Sequence, residues 1–170
     1  MRMISCSVFL FLLVGAIGCR TNTASSKLTV QEEKNMAVVL TWLNEVNKEN
    51  FEDLFDQLWT RDCKQYLNSS PEPVEYEAFK QMIIRFYRDF PMTTHEVHEI
   101  FAKGDRVTAV FSARAVHDRD SFGVPATGRE LKWSAIAVFE LSEGKIKTRW
   151  EVNDLLGLYR QLGMELRIAG

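Results

Sequence analysis

The feature that most constrains the fold is a change of hydrophobic period at Pro91. Before it, apolar residues recur every three to four positions; after it, they alternate. The first period belongs to helices and the second to strands, so the chain reads as helices followed by strands. Thr29-Val30-Gln31-Glu32 is a capping box that starts a first helix, with Met36, Val39, Leu40, Leu43 and Val46 on one stripe. Asn50 is placed to cap a second helix carrying Phe51, Leu54, Phe55, Leu58 and Trp59. Asn68-Ser69-Ser70-Pro71-Glu72-Pro73 is a loop by composition. A third helix carries Phe79, Met82, Ile83, Phe86 and Phe90 and stops at Pro91.

The alternating half divides at turn residues. Strands are predicted over Thr93–Phe101, Arg106–His117, Arg129–Leu141 and Lys145–Val152, separated by Gly104-Asp105, the loop 118–128 and Ser142-Glu143-Gly144. Leu155–Leu162 suits a short closing helix ended by Gly163. Helices first and consecutive antiparallel strands after is an α+β pattern. The expectation is a cone-like α+β barrel: a curved antiparallel sheet wrapped on the N-terminal helices, with a cavity inside.

Parity sorts the side chains of each strand. Val107, Ala109, Phe111, Ala113, Ala115 and His117 share one face, as do Leu131, Trp133, Ala135, Ala137, Phe139 and Leu141. In the last strand Ile146, Thr148, Trp150 and Val152 are assigned inward, in line with Asp154, and Lys145, Lys147, Arg149, Glu151 and Asn153 outward. Phe111, Trp133, Trp150 and Phe86 are therefore the expected pocket lining, and the alanines leave room for a ligand. His117 and Asp154 end otherwise apolar faces. A carboxylate desolvated there suits general acid/base work. The alternatives are that Asp154 caps the closing helix and that His117 is a satisfied strand-end histidine.

The N-terminus is a different kind of segment. Arg2 precedes an uncharged, mostly apolar run from Ile4 to Ile17, too short to span a bilayer as a helix. It reads as a signal peptide ending Gly15-Ala16-Ile17-Gly18-Cys19 and resembles a lipobox. Residues 1–18 are the expected signal, Cys19 the lipidated residue, 19–28 a tether, and 29–170 the domain; the alternative is an ordinary secreted protein cut after Gly18 with a free Cys19. Lipid on Cys19 implies anchoring to a membrane of a bacterial cell envelope, facing away from the cytoplasm. Loss of Cys6 and acylation of Cys19 leave Cys63 without a disulfide partner. A formal net charge of −2 gives no electrostatic basis for nucleic-acid binding.

Several motifs in order resemble the SnoaL-like polyketide cyclases, also known as predicted ester cyclases, of the nuclear transport factor 2-like superfamily. They are Phe90-Pro91, Gly104-Asp105-Arg106-Val107, Phe122-Gly123-Val124-Pro125-Ala126-Thr127-Gly128-Arg129, Glu143-Gly144-Lys145-Ile146, and Trp150 through Asp154 into Gln161-Leu162-Gly163. The resemblance implies intramolecular aldol ring closure with an aspartate as acid/base and neither metal nor other cofactor. That aspartate carries over onto Asp154, and the family's strand-end histidine onto His117. Val116 and Arg119 stand where the family usually has Thr and Gly, and the loop His117-Asp118-Arg119-Asp120 is unusually charged, so the pocket mouth differs from the family's.

His95-Glu96-Val97-His98 does not make a metal site, because the two histidines have opposite parity. Ile136, Val138 and Val110 are apolar on the outer face, suited to a homodimer contact or to cover by the N-terminal segment. Three functions fit these features. One is an acid/base cyclase or isomerase acting on a small apolar carbonyl compound. The others are a non-catalytic binder of a small apolar ligand and an envelope interaction module.

Overall fold

The computed structural model describes residues 27–165; the signal, Cys19 and most of the tether expected from the sequence lie outside the described residues. Helix α1 (Val30–Glu45) begins at the expected capping box. Thr29 Oγ1 accepts from the Glu32 N–H at 3.2 Å, and Glu32 Oε2 accepts from the Thr29 N–H at 2.8 Å. The other Glu32 oxygen accepts from the Gly104 N–H at 2.9 Å, and Asn35 donates to the Gly104 carbonyl at 3.0 Å. Gly104 can hold this turn because its φ of 62° is open to glycine. These bonds hold the Glu32 carboxyl down at about 2, the Thr29 and Gly104 N–H groups being the main cause.

The remaining elements are α2 (Phe51–Leu58), β1 (Trp59–Leu67), β2 (Val74–Glu75), α3 (Tyr76–Asp89), β3 (Thr94–Lys103), β4 (Arg106–Val116), β5 (Glu130–Ser142), β6 (Lys145–Asn153) and α4 (Leu155–Gln161). They form a curved, unclosed six-stranded sheet in the order β2-β1-β6-β5-β4-β3, with helices in its concavity. Strands β3 to β6 are the expected antiparallel series.

Three expectations need correction. The second helix ends at Leu58, so Trp59 opens strand β1, which pairs parallel to β6. The sheet is therefore mixed. This strand was illegible because its buried residues are Trp59, Cys63 and Gln65, with a register irregularity between Trp59 and Lys64 that breaks simple alternation. Asn50 precedes α2 but makes no side-chain bond to it; its Oδ1 accepts instead from the Asn47 N–H at 2.8 Å.

The third correction concerns β6. Leu141 lies opposite Ile146, but Glu140 lies opposite Thr148, so Lys147 is an extra residue. A one-residue bulge moves every following side chain to the other face. Beyond it Arg149 lies opposite Phe139, Glu151 opposite Ala137 and Asn153 opposite Ala135, all on the inner face. Trp150 and Val152 turn outward. Trp150 stacks on Tyr66 at 5.7 Å beneath the Arg106 guanidinium, and Val152 is 61% exposed. With Ile136, 52% exposed, and half-buried Val110, Val152 forms an apolar row across the outer sheet.

The main core is aromatic. Trp42, Phe55, Trp59 and Phe79 are buried with ring centroids 5.0–6.0 Å apart. Aromatic pairs in such tilted and stacked geometries each contribute about 0.5–1.5 kcal/mol beyond area burial. A second cluster joins Phe90, Ala113, Ala115, Leu131 and Trp133 to Leu158 and Leu162, which seats α4 at the open end of the sheet.

Candidate active site

The concavity holds a cavity of about 240 Å³ between α1, α3, α4 and the inner sheet face. Ala113 is the small residue in its sheet wall, between Phe111 and the cross-strand Trp133; Ala109, Ala135 and Ala137 share the inner face but are buried outside the lining. Phe86, Phe111 and Trp133 stand in its wall, as the sequence suggested; Trp150, also expected there, is on the outer face for the reason given above.

The polar part of the wall comes from residues the parity rule sent outward. Arg149 Nη1 donates to Glu151 Oε2 at 3.1 Å, with side chains only 9% and 11% exposed. Arg149 Nε donates to Gln65 Oε1, and Asn153 Nδ2 donates to Glu151 Oε1 at 2.9 Å. The guanidinium lies over the Phe79 and Trp59 rings at 5.0 and 5.5 Å. Burial lowers the Arg149 pKa, and the Glu151 carboxylate acts against that shift. A buried charge is tolerated only when paired and hydrogen-bonded, which this set of partners provides.

His95 lines the same cavity from β3, edge-on to Phe111 at 5.8 Å. Burial lowers its pKa; the Glu151 carboxylate opposes the shift, Arg149 adds to it, and a hydrogen bond to the Leu43 carbonyl also opposes it. His98 faces away and meets Ser112 Oγ at 3.1 Å. Cys63 is buried beside this cluster, and burial pushes its thiol up to about 11, which makes it a poor nucleophile at neutral pH.

The two residues nominated for catalysis lie elsewhere. His117 is wholly buried at the end of β4, beside the cavity wall and outside its lining. The Thr127 N–H donates to His117 Nδ1 at 3.3 Å, so in the neutral ring Nε2 carries the proton. Among the described residues that Nε2 has no partner. His117 stacks on Phe90 at 6.1 Å, and Phe90 meets Phe122, which does line the cavity. Asp154 is exposed and caps α4: its Oδ1 accepts from the Gly157 N–H at 2.8 Å. The carboxylate sits so close that a Cβ on Gly157 would lie 2.1 Å from Asp154 Oδ2. Its neighbours Asn153 and Leu155 line the cavity, whereas Asp154 stands outside the lining. The bulge is the reason, since it removes the parity that pointed Asp154 inward.

The profile of the SnoaL-like polyketide cyclases matches residues 37–162. The chain belongs to this family. Aklanonic acid methyl ester cyclase DnrD of Streptomyces peucetius is 33% identical over 98 residues, covering 57% of this chain and 68% of that protein. A SnoaL-like protein from Jannaschia sp. CCS1 superposes with a TM-score of 0.74 at 19% identity, covering 82% of this chain and 99% of that one. AclR of Streptomyces galilaeus superposes with a TM-score of 0.71 at 23% identity, covering 78% and 97%. These structural likenesses show the SnoaL-like fold. Within it, the Arg149–Glu151 pair of this chain could have been suspected only by allowing a bulge after the Glu143-Gly144 turn.

Proposed function

We propose that the domain binds a small, mostly apolar carbonyl compound in this cavity and isomerises or cyclises it by side-chain proton transfer. The carrying observation is an aromatic-lined cavity of about 240 Å³ that holds ionisable groups on its wall, in a chain of the SnoaL-like family. A pocket that is mostly apolar with a few placed polar groups is the usual form of a small-molecule site. The relative DnrD is named for ring closure on a methyl ester, which supports the same reaction class here. His117 holds an Nε2–H that has no partner among the described residues, behind Phe90 and Phe122, and supplies a donor next to the cavity wall. Asp154 serves the cap of α4, so this reading rests on the cavity rather than on that carboxylate. The uncharged run from Ile4 to Ile17 and Cys19 support placing the domain on a membrane of the cell envelope through lipid.

Intramolecular ring closure conserves mass, and this dictates the experiment. Native mass spectrometry of the protein purified from its own host identifies what the cavity retains, and fresh protein is then given the released compound. Conversion to an isomer of equal mass and different retention time is the expected result. Return of the compound unchanged leaves a binding protein and overturns the catalytic part. A cavity that retains no small molecule and takes up none from host extract overturns the whole reading.

A further inference from the structure

Proton transfer in the cavity needs a base with a lone pair facing the ligand space and a stabiliser for the charge the base acquires. His95 meets the first need. It lines the cavity opposite Ala113, with the Phe111 ring edge-on at 5.8 Å. The Leu43 carbonyl of α1 takes one ring N–H, which leaves the lone pair on the other nitrogen. The curved sheet meets the second need by bringing β6 into the same wall. Glu151 is held on both oxygens, by Arg149 at 3.1 Å and Asn153 at 2.9 Å, and Arg149 is itself held by Gln65. The charged groups acting on His95 are Glu151 and Arg149 of β6, and from α1 it meets the Leu43 carbonyl.

We propose that His95 is the proton-transferring residue of the cavity and that Glu151, locked by Arg149 and Asn153, is the fixed counter-charge for its imidazolium. The proposal rests on the carbonyl-isomerising reading above and adds the residues that carry it. The His95 lone pair takes a proton from the carbon next to a carbonyl. The C–H electron pair becomes a C=C bond, and the carbonyl π pair moves to oxygen as an enolate. The pair on the enolate oxygen re-forms the first C=O while the C=C pair attacks a second carbonyl of the same molecule and becomes the new C–C bond. The π pair of that carbonyl moves to its oxygen, which takes the proton back from the imidazolium. Atoms and electrons balance without a co-reactant.

The probe is acetophenone, an apolar aromatic ketone whose methyl protons exchange slowly without a catalyst. Exchange of methyl C–H for C–D in D₂O is followed by proton NMR with the purified protein. The wild type should accelerate exchange, and His95→Gln should lose about 10²–10⁴-fold of that acceleration while melting normally. Asp154→Asn should keep it. If folded His95→Gln exchanges at the wild-type rate, or Asp154→Asn alone abolishes exchange, the His95 assignment is overturned and the isomerase reading stands. If the wild type does not accelerate exchange, both fall. Histidine-labelled NMR of the wild type covers the case in which the variant fails to fold: acetophenone should shift the His95 ring signals, and their invariance would overturn the proposal.

Discussion

Separating Arg149 from Glu151 should be costly, and the cost reports directly on the register of β6. Both side chains are nearly buried, and their bond spans 3.1 Å. Removing one partner of a buried pair strands the other, at about 3–5 kcal/mol. Glu151→Ala strands Arg149 among Phe79, Trp59 and Phe139, where the rings recover only part of that cost. Arg149→Ala strands Glu151 and removes the stem packed on those rings. The double variant Arg149→Met, Glu151→Leu carries no stranded charge and should be far less destabilised than the sum of the single variants. Urea unfolding followed by tryptophan fluorescence gives the four free energies, with buried Trp42 and Trp59 as reporters. On the outer face, where simple alternation puts both residues, an exposed pair contributes only about 0–1 kcal/mol. Single variants costing less than about 1 kcal/mol with additive behaviour would refute the inward register.

Two further predictions rest on individual contacts and a third on the N-terminal sequence. Asp154→Ala should lose the α4 cap at about 0.5–2 kcal/mol, while Asp154→Asn should melt near the wild type, since Asn caps about as well as Asp. An Asn variant as unstable as Ala in calorimetry would contradict the capping geometry. Glu32 has a folded pKa of about 2 against an ordinary 4.5, so its contribution is complete above 4.5 and fades as pH falls toward 2. The melting gap between wild type and Glu32→Gln should therefore close on acidification through that window, and a gap independent of pH would sink the idea. Cys19→Ser should release the protein from membranes and remove its lipid mass; a variant that still fractionates with membranes would count against the anchor.

The sequence exposed most of the frame because its apolar residues obey one period at a time. The α1 capping box, the α3 stripe ending at Pro91, and the faces of β4 and β5 all follow that rule, and each is found in the structure. Reading failed where a strand departs from strict alternation. Strand β1 buries a glutamine and a cysteine, so its inner face did not register as apolar. In β6 the extra Lys147 inverts the faces, and Trp150, which hydrophobicity would place inside, stacks outside on Tyr66. The same slip hid Arg149 and Glu151, whose charge marks them as surface residues until the buried partners Gln65 and Asn153 are known. His95 carries no sequence signal for the cavity, because no local pattern shows that the sheet curves it toward β6.

The most direct test of the account is where a ligand touches. Backbone and side-chain NMR signals of the labelled protein are recorded while acetophenone is added. Shifts concentrated at His95, Phe111, Trp133, Glu151 and Asn153 are predicted, since these residues share the cavity wall. Shifts confined to Ile136, Trp150 and Val152, with the inner residues silent, would place binding on the outer sheet and contradict the account.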